Sequence, residues 1–159
     1  MEKPVSLREF IDEMQTANAE VQSYLNRVTG EFGIVTIENA SIVEDESDWS
    51  DYNDWQQKML EETDTILSAP EIWLKLPSQW DIHEYAIMQD FCGTIEEERL
   101  ADTLFRAIRG SGAFRRFKDT VYRHHLEDHW FSFRLQAFKE IAIDWLEENE
   151  LAFQDDIPA

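Results

Sequence analysis

The chain has 159 residues, enough for one ordinary domain with a sizeable core, and 43% of them are hydrophobic, with 6 Trp, 10 Phe and 4 Tyr. That supply of aromatics excludes a disordered chain, no apolar run approaches the roughly 18 residues needed to cross a bilayer, and Cys92, the single cysteine, cannot form an intrachain disulfide. Thirty-four acids against 14 Lys and Arg leave a net charge of −20, which repels nucleic acid and anionic membranes.

Met1-Glu2-Lys3-Pro4 opens into a charged amphipathic segment without a signal-peptide hydrophobic stretch, so a cytoplasmic location is expected. Leu7, Phe10, Ile11 and Met14 recur at helical spacing, and Ser6 with Glu9 has the spacing of an N-cap and its capping-box partner, predicting a helix over about 6–17. Residues 21–27 and 32–37 flank Thr29-Gly30-Glu31 and read as a hairpin. From Glu44 to Trp55 there are six acids and no base, a solvated loop whose lack of a turn glycine fails the calcium-loop pattern. Tyr52, Trp55, Met59, Leu60, Thr63, Ile66 and Leu67 then line one side of a second helix, which Pro70 closes, and Ile72 to Leu76 reads as a third strand.

The remainder is helical. Asp81 with Glu84, and Thr94 with Glu97, are spaced as N-caps with capping-box partners. Leu100, Ala101, Leu104, Phe105 and Ile108 make an apolar face that ends at Gly110-Ser111-Gly112. The next helix begins near Ala113 and points Phe114, Phe117 and Val121 to the core, and the last runs from about Asp128 to Asn149. The expected fold is α+β: a small antiparallel or mixed three-stranded sheet with a helical C-terminal half packed on it, in a single domain over 1–159 (about 1–77 sheet-bearing, about 78–150 helical).

Three stretches read together as a family: YLNRVTGE (24–31), LPSQWDIHEYAIMQDF (76–91), and GSGAFRRFKDTV (110–121) continued by WFSFRLQAFKEIAIDWLEEN (130–149). The chain resembles, over nearly its whole length, the bacterial group known as uncharacterised protein family 0158. Its acidic stretch at 44–64 stands apart from that pattern. The resemblance implies a fold and a bacterial cytoplasmic setting, and brings no activity, ligand or catalytic residue with it.

One basic patch interrupts the negative field. Between Arg106 and Arg123 lie six cations (Arg106, Arg109, Arg115, Arg116, Lys118 and Arg123) and one acid, Asp119. Gly110 and Gly112 can bring backbone N–H groups close to an anion, beside a helix N-terminus, and Arg115, Arg116 and Arg123 share one helical face. The bland alternative is a chain turn whose arginines pair with the surplus acids. Arg134 projects into the apolar stripe of Trp130, Ala137, Phe138, Ile141 and Trp145, so it must meet a carboxylate, stack on Trp130 or another ring, or open into a pocket. The candidate anion-binding residues are therefore Gly110, Gly112, Arg115, Arg116, Arg123 and Arg134.

His124, His125 and His129 sit at a helix junction, where Asp128 is placed as a cap and Leu126 occupies the glutamate position of H-E-x-x-H, so no metal site is expected. No dinucleotide or P-loop fingerprint and no nucleophile arrangement appears, so neither cofactor nor catalytic residue is assigned. The expected activity is binding of an anionic small molecule or an acidic protein segment at the basic patch, with no nucleic acid and no membrane as partner. The alternative is an acidic decoy presenting carboxylates to a basic partner.

Overall fold

The computed structural model describes residues 4–46, 48–78 and 81–158. Met1–Lys3, Ser47, and the Gln79 and Trp80 of the second family stretch lie outside the described residues. In chain order the elements are β1 (Val5–Ser6), α1 (Leu7–Thr16), β2 (Val21–Asn26), β3 (Phe32–Thr36), α2 (Ile37–Glu44), α3 (Asp54–Leu67), β4 (Trp73–Lys75), α4 (Glu84–Cys92), α5 (Glu98–Ala107), α6 (Ala113–Arg123), α7 (Glu127–Glu148) and β5 (Phe153–Gln154). This is an α+β fold. Among the described residues no helix is long and apolar enough to cross a membrane.

The chain divides into two compact units, one of residues 1–81 with 142–159 and the other of residues 82–141. In the first unit a three-stranded antiparallel sheet has the order β3-β2-β4. Val21 stands opposite Thr36 and Leu25 opposite Phe32, while Tyr24 faces Lys75 on the other edge. The hairpin loop is set by the Asn26 carboxamide oxygen, which accepts the Val28 and Thr29 amides at 2.8 and 3.0 Å. Leu7, Phe10, Ile11 and Met14 of α1 are all buried, as their spacing predicts, and Phe10 meets the rings of Phe32 and Trp145. A parallel pairing that periodicity did not reveal joins β1 to β5, Val5 opposite Phe153.

Three helix starts differ from the expected ones. Helix α2 follows β3 directly, with Thr36 closing the strand and accepting the Asn39 amide at 3.1 Å as N-cap. Asp81 does not cap α4: its carboxylate accepts the Ser78 amide and hydroxyl at 2.9 and 3.0 Å, and His83 takes the cap position. Thr94 does not cap α5, because its hydroxyl donates to the Phe91 carbonyl at 2.7 Å, which leaves Glu97 at the cap. Asp81 and Thr94 each bond a group earlier in the chain than the predicted one, and α2 starts where no cap was expected.

In the second unit, α4 to α7 enclose an aromatic core. Phe91, Phe117 and Trp130 meet edge to face, with centroids 4.7 to 5.9 Å apart. Cys92 is buried here, and burial pushes its thiol up to about 11. His125 adopts a positive φ of 56°, which separates α6 from α7, and Asp128 lies inside the first turn of α7 instead of capping it. His129 packs on the Phe91 ring at 4.8 Å, so His125 and His129 do not share one helical face.

Candidate functional site

The glycine turn is built around an arginine. Helix α5 ends at Ala107, and Gly110 and Gly112 follow with φ of +71° and +79°, a region that L side chains rarely adopt. Arg116, one turn into α6, folds back over this loop. Its Nε donates to the Ala107 carbonyl at 2.9 Å, its Nη1 to the Ser111 carbonyl at 2.6 Å, and its Nη2 to the Arg109 carbonyl. The guanidinium thus caps the carbonyl end of α5, where a cation is also favoured by the helix dipole. A Cβ on Gly112 would stand 2.9 Å from Arg116 Nη1. Gly112 therefore suits its backbone conformation, and a Cβ there would push the Arg116 fork off the Ser111 carbonyl.

Arg115 and Arg123 are exposed on α6, but they do not line the cleft that opens beside the turn. That cleft, of about 290 Å³, lies where α4, α6 and α7 meet. Helix α6 supplies Phe114 and Lys118, one turn apart and therefore on the same side; α7 supplies Phe131 and Arg134, with Trp130 behind them; α4 supplies Glu84. Phe114, expected in the core, is instead half exposed, as is Phe131. The buried stripe of α6 is narrow, made by Phe117, Thr120 and Val121 with Ala113.

Arg134 meets all three conditions that its sequence position imposed. Its Nε donates to Glu84 Oε1 at 2.8 Å, and its Nη2 reaches the same oxygen. Its guanidinium carbon lies 4.3 Å above the Phe138 ring, which takes the stacking place expected of Trp130. Its side chain is 28% exposed, that of Glu84 is 41% exposed, and both line the cleft. Among the described residues, the Lys118 ammonium has no ion-pair or hydrogen-bond partner. Two cations and one carboxylate leave the cleft positive beside an apolar wall.

Of the six candidate anion-binding residues, only Arg134 lines this cleft. Lys118, Phe114 and Phe131 were passed over as lining residues. The available signal was the four-residue spacing of Phe114 and Lys118, which sets an aromatic ring and a cation on one face of α6.

With this geometry in place, comparison with known proteins supplies the lineage. The model of the Uncharacterised protein family (UPF0158) matches residues 2–158. The chain belongs to this family. A curated UPF0158 protein of Pseudomonas aeruginosa is 31% identical over 93 residues, covering 57% of this chain and 60% of the relative. The chain thus aligns with about 60% of the length of that relative. No solved structure matches the chain.

Within this UPF0158 member, charge is divided between the units. Residues 82–141 carry nine Lys and Arg against ten Asp and Glu, close to neutral. The other unit carries five against 24. The positive cleft therefore sits in the unit that lacks the acidic excess.

Proposed function

We propose that this UPF0158 chain is a binding protein whose α4–α6–α7 cleft receives an acidic protein segment bearing one large apolar side chain. The observation that carries this reading is the meeting of unpaired Lys118 and cleft-lining Arg134 with the half-exposed rings of Phe114 and Phe131. A volume of about 290 Å³ suits one anchoring side chain, and the rings extend apolar surface beyond it. The acidic positions of the segment pair with Lys118 and with the open side of Arg134. The basic patch thereby acts through Lys118, while Arg116 holds the turn. The lone Cys92 fits a reducing cytoplasm, and the Pseudomonas relative fits a bacterial one.

Isothermal titration of the full chain with the acetylated, amidated pentapeptide Asp-Glu-Phe-Asp-Glu tests the reading. Lys118→Glu and Phe131→Ala should each weaken binding at least tenfold, and the Asn-Gln-Phe-Asn-Gln analogue should bind at least tenfold more weakly. Absence of binding at millimolar peptide, or binding indifferent to both substitutions, overturns the reading. Lys118-dependent binding of phenylacetate or inorganic phosphate without peptide binding would replace the protein segment by a small anion.

A further inference from the structure

The other unit holds a cleft of opposite character. It lies between α2 and α3, has a volume of about 240 Å³, and rests on Ile42, Met59 and Leu60, with Tyr52, Trp55 and Glu38 around it. Trp55 is 68% exposed, although the periodicity of α3 places it with the buried Leu60, Thr63 and Ile66. The side chains of Thr36 and Gln56, which also line the cleft, are engaged at helix caps. Thr36 accepts the Asn39 amide, and Asn53 and Gln56 exchange hydrogen bonds at 2.8 and 3.2 Å. Among the described residues, neither the Glu38 carboxylate nor the Tyr52 hydroxyl has a hydrogen-bond or ion-pair partner. From residue 37 to residue 57 the chain carries seven acids and no base.

We propose that this cleft binds an arginine-bearing segment of a basic protein. An aromatic face and a carboxylate set around an apolar floor provide what a guanidinium requires. The planar cation stacks on Trp55 or Tyr52, its N–H groups pair with Glu38, and its methylene stem covers Ile42 and Met59. Anionic partners are excluded by the surrounding charge. The acids of residues 44–54 supply a long-range field that raises the encounter rate with a basic partner, while the cleft supplies the specific contact. The site is independent of the α4–α6–α7 cleft, and its occupant has the opposite charge.

The experiment titrates the full chain with the acetylated, amidated pentapeptide Gly-Arg-Gly-Arg-Gly at about 0.15 M salt, where diffuse attraction is screened. The citrulline analogue keeps the shape and removes the charge. The arginine peptide should bind, and the analogue should bind at least tenfold more weakly. Trp55→Ala and Glu38→Gln should each reduce affinity at least tenfold, whereas Glu147→Gln, which removes an exposed charge outside the cleft, should change it less than twofold. Equal losses in Glu38→Gln and Glu147→Gln, or undiminished binding by Trp55→Ala with an unchanged circular dichroism spectrum, would show a diffuse acidic surface and overturn the proposal. No detectable binding to wild type would overturn it as well.

Discussion

The carboxylate of Asp156 accepts hydrogen bonds from the Ser6 hydroxyl at 2.6 Å and from the Arg8 backbone amide at 3.0 Å. A hydroxyl has one proton, so donating it to Asp156 turns the Ser6 lone pairs toward the Glu9 amide, which is 3.1 Å away. The N-cap of α1 is thus oriented from β5's side of the chain, and Glu9 plays no reciprocal part in it.

The Ser6 hydroxyl first, and the Arg8 amide after it, hold the Asp156 carboxyl below the ordinary carboxylate range. A folded-state pKa below the unfolded one adds stability that is present above the unfolded pKa and is lost as pH falls through the folded pKa. Asp156→Ala should therefore lower the melting temperature at neutral pH, and its difference from wild type should shrink in acid, below about pH 4. Melting curves of the two proteins from neutral to acid pH measure this. A difference that does not vary with pH would contradict the charge-based account.

Arg116→Ala should cost about 1–3 kcal/mol in denaturant unfolding, since it leaves the carbonyls of Ala107, Arg109 and Ser111 without their common donor. Arg116→Lys should recover only part of the loss, because an ammonium cannot reproduce the planar fork. Arg115→Ala, exposed and outside this network, should stay within about 0.5 kcal/mol of wild type. Equal midpoints for Arg116→Ala and Arg115→Ala would remove Arg116 from its capping role.

For Arg134→Ala the expected loss is about 1–2 kcal/mol, the sum of a partly exposed ion pair and the stacking on Phe138. Full burial would imply about 3–5 kcal/mol, but water reaches both partners and screens them. Glu84→Gln should change the unfolding midpoint little and tighten binding of the acidic pentapeptide, since it removes the negative charge from the cleft. Unfolding midpoints and titrations of the two variants check both statements, and weaker peptide binding by Glu84→Gln would contradict the assigned polarity.

The hairpin and most helix bodies were legible because the turn at Gly30 separates two strand-forming runs and α1, α5 and α6 have a clear period. Helix α2 was not, since Ile37, Ala40, Ile42 and Val43 fall around the helix without a common face and run on from strand-forming residues. Arg134 was conspicuous as a cation among apolar neighbours, yet Glu84 lies 50 residues away, and spacing says nothing of such a pairing. Phe114 was expected in the core and Trp55 on the apolar side of its helix, and both are exposed because a period gives the direction of a stripe and not its width. Arg116 looked free for the converse reason: its partners are backbone carbonyls, which every sequence has and none displays.

The pairing of β1 with β5 has a consequence for how the protein is made. Ser6 and Asp156 are 150 residues apart, and the unit they close is interrupted by residues 82–141. Vectorial synthesis delivers the interrupting segment complete, so its four-helix aromatic core can form while β1 still waits for a neighbour. Until residues 153–154 emerge from the ribosome, Val5 and Ser6 present an unpaired strand edge. The exposed edge is only two residues long, and the acids concentrated in the waiting unit make nascent chains repel one another during that interval.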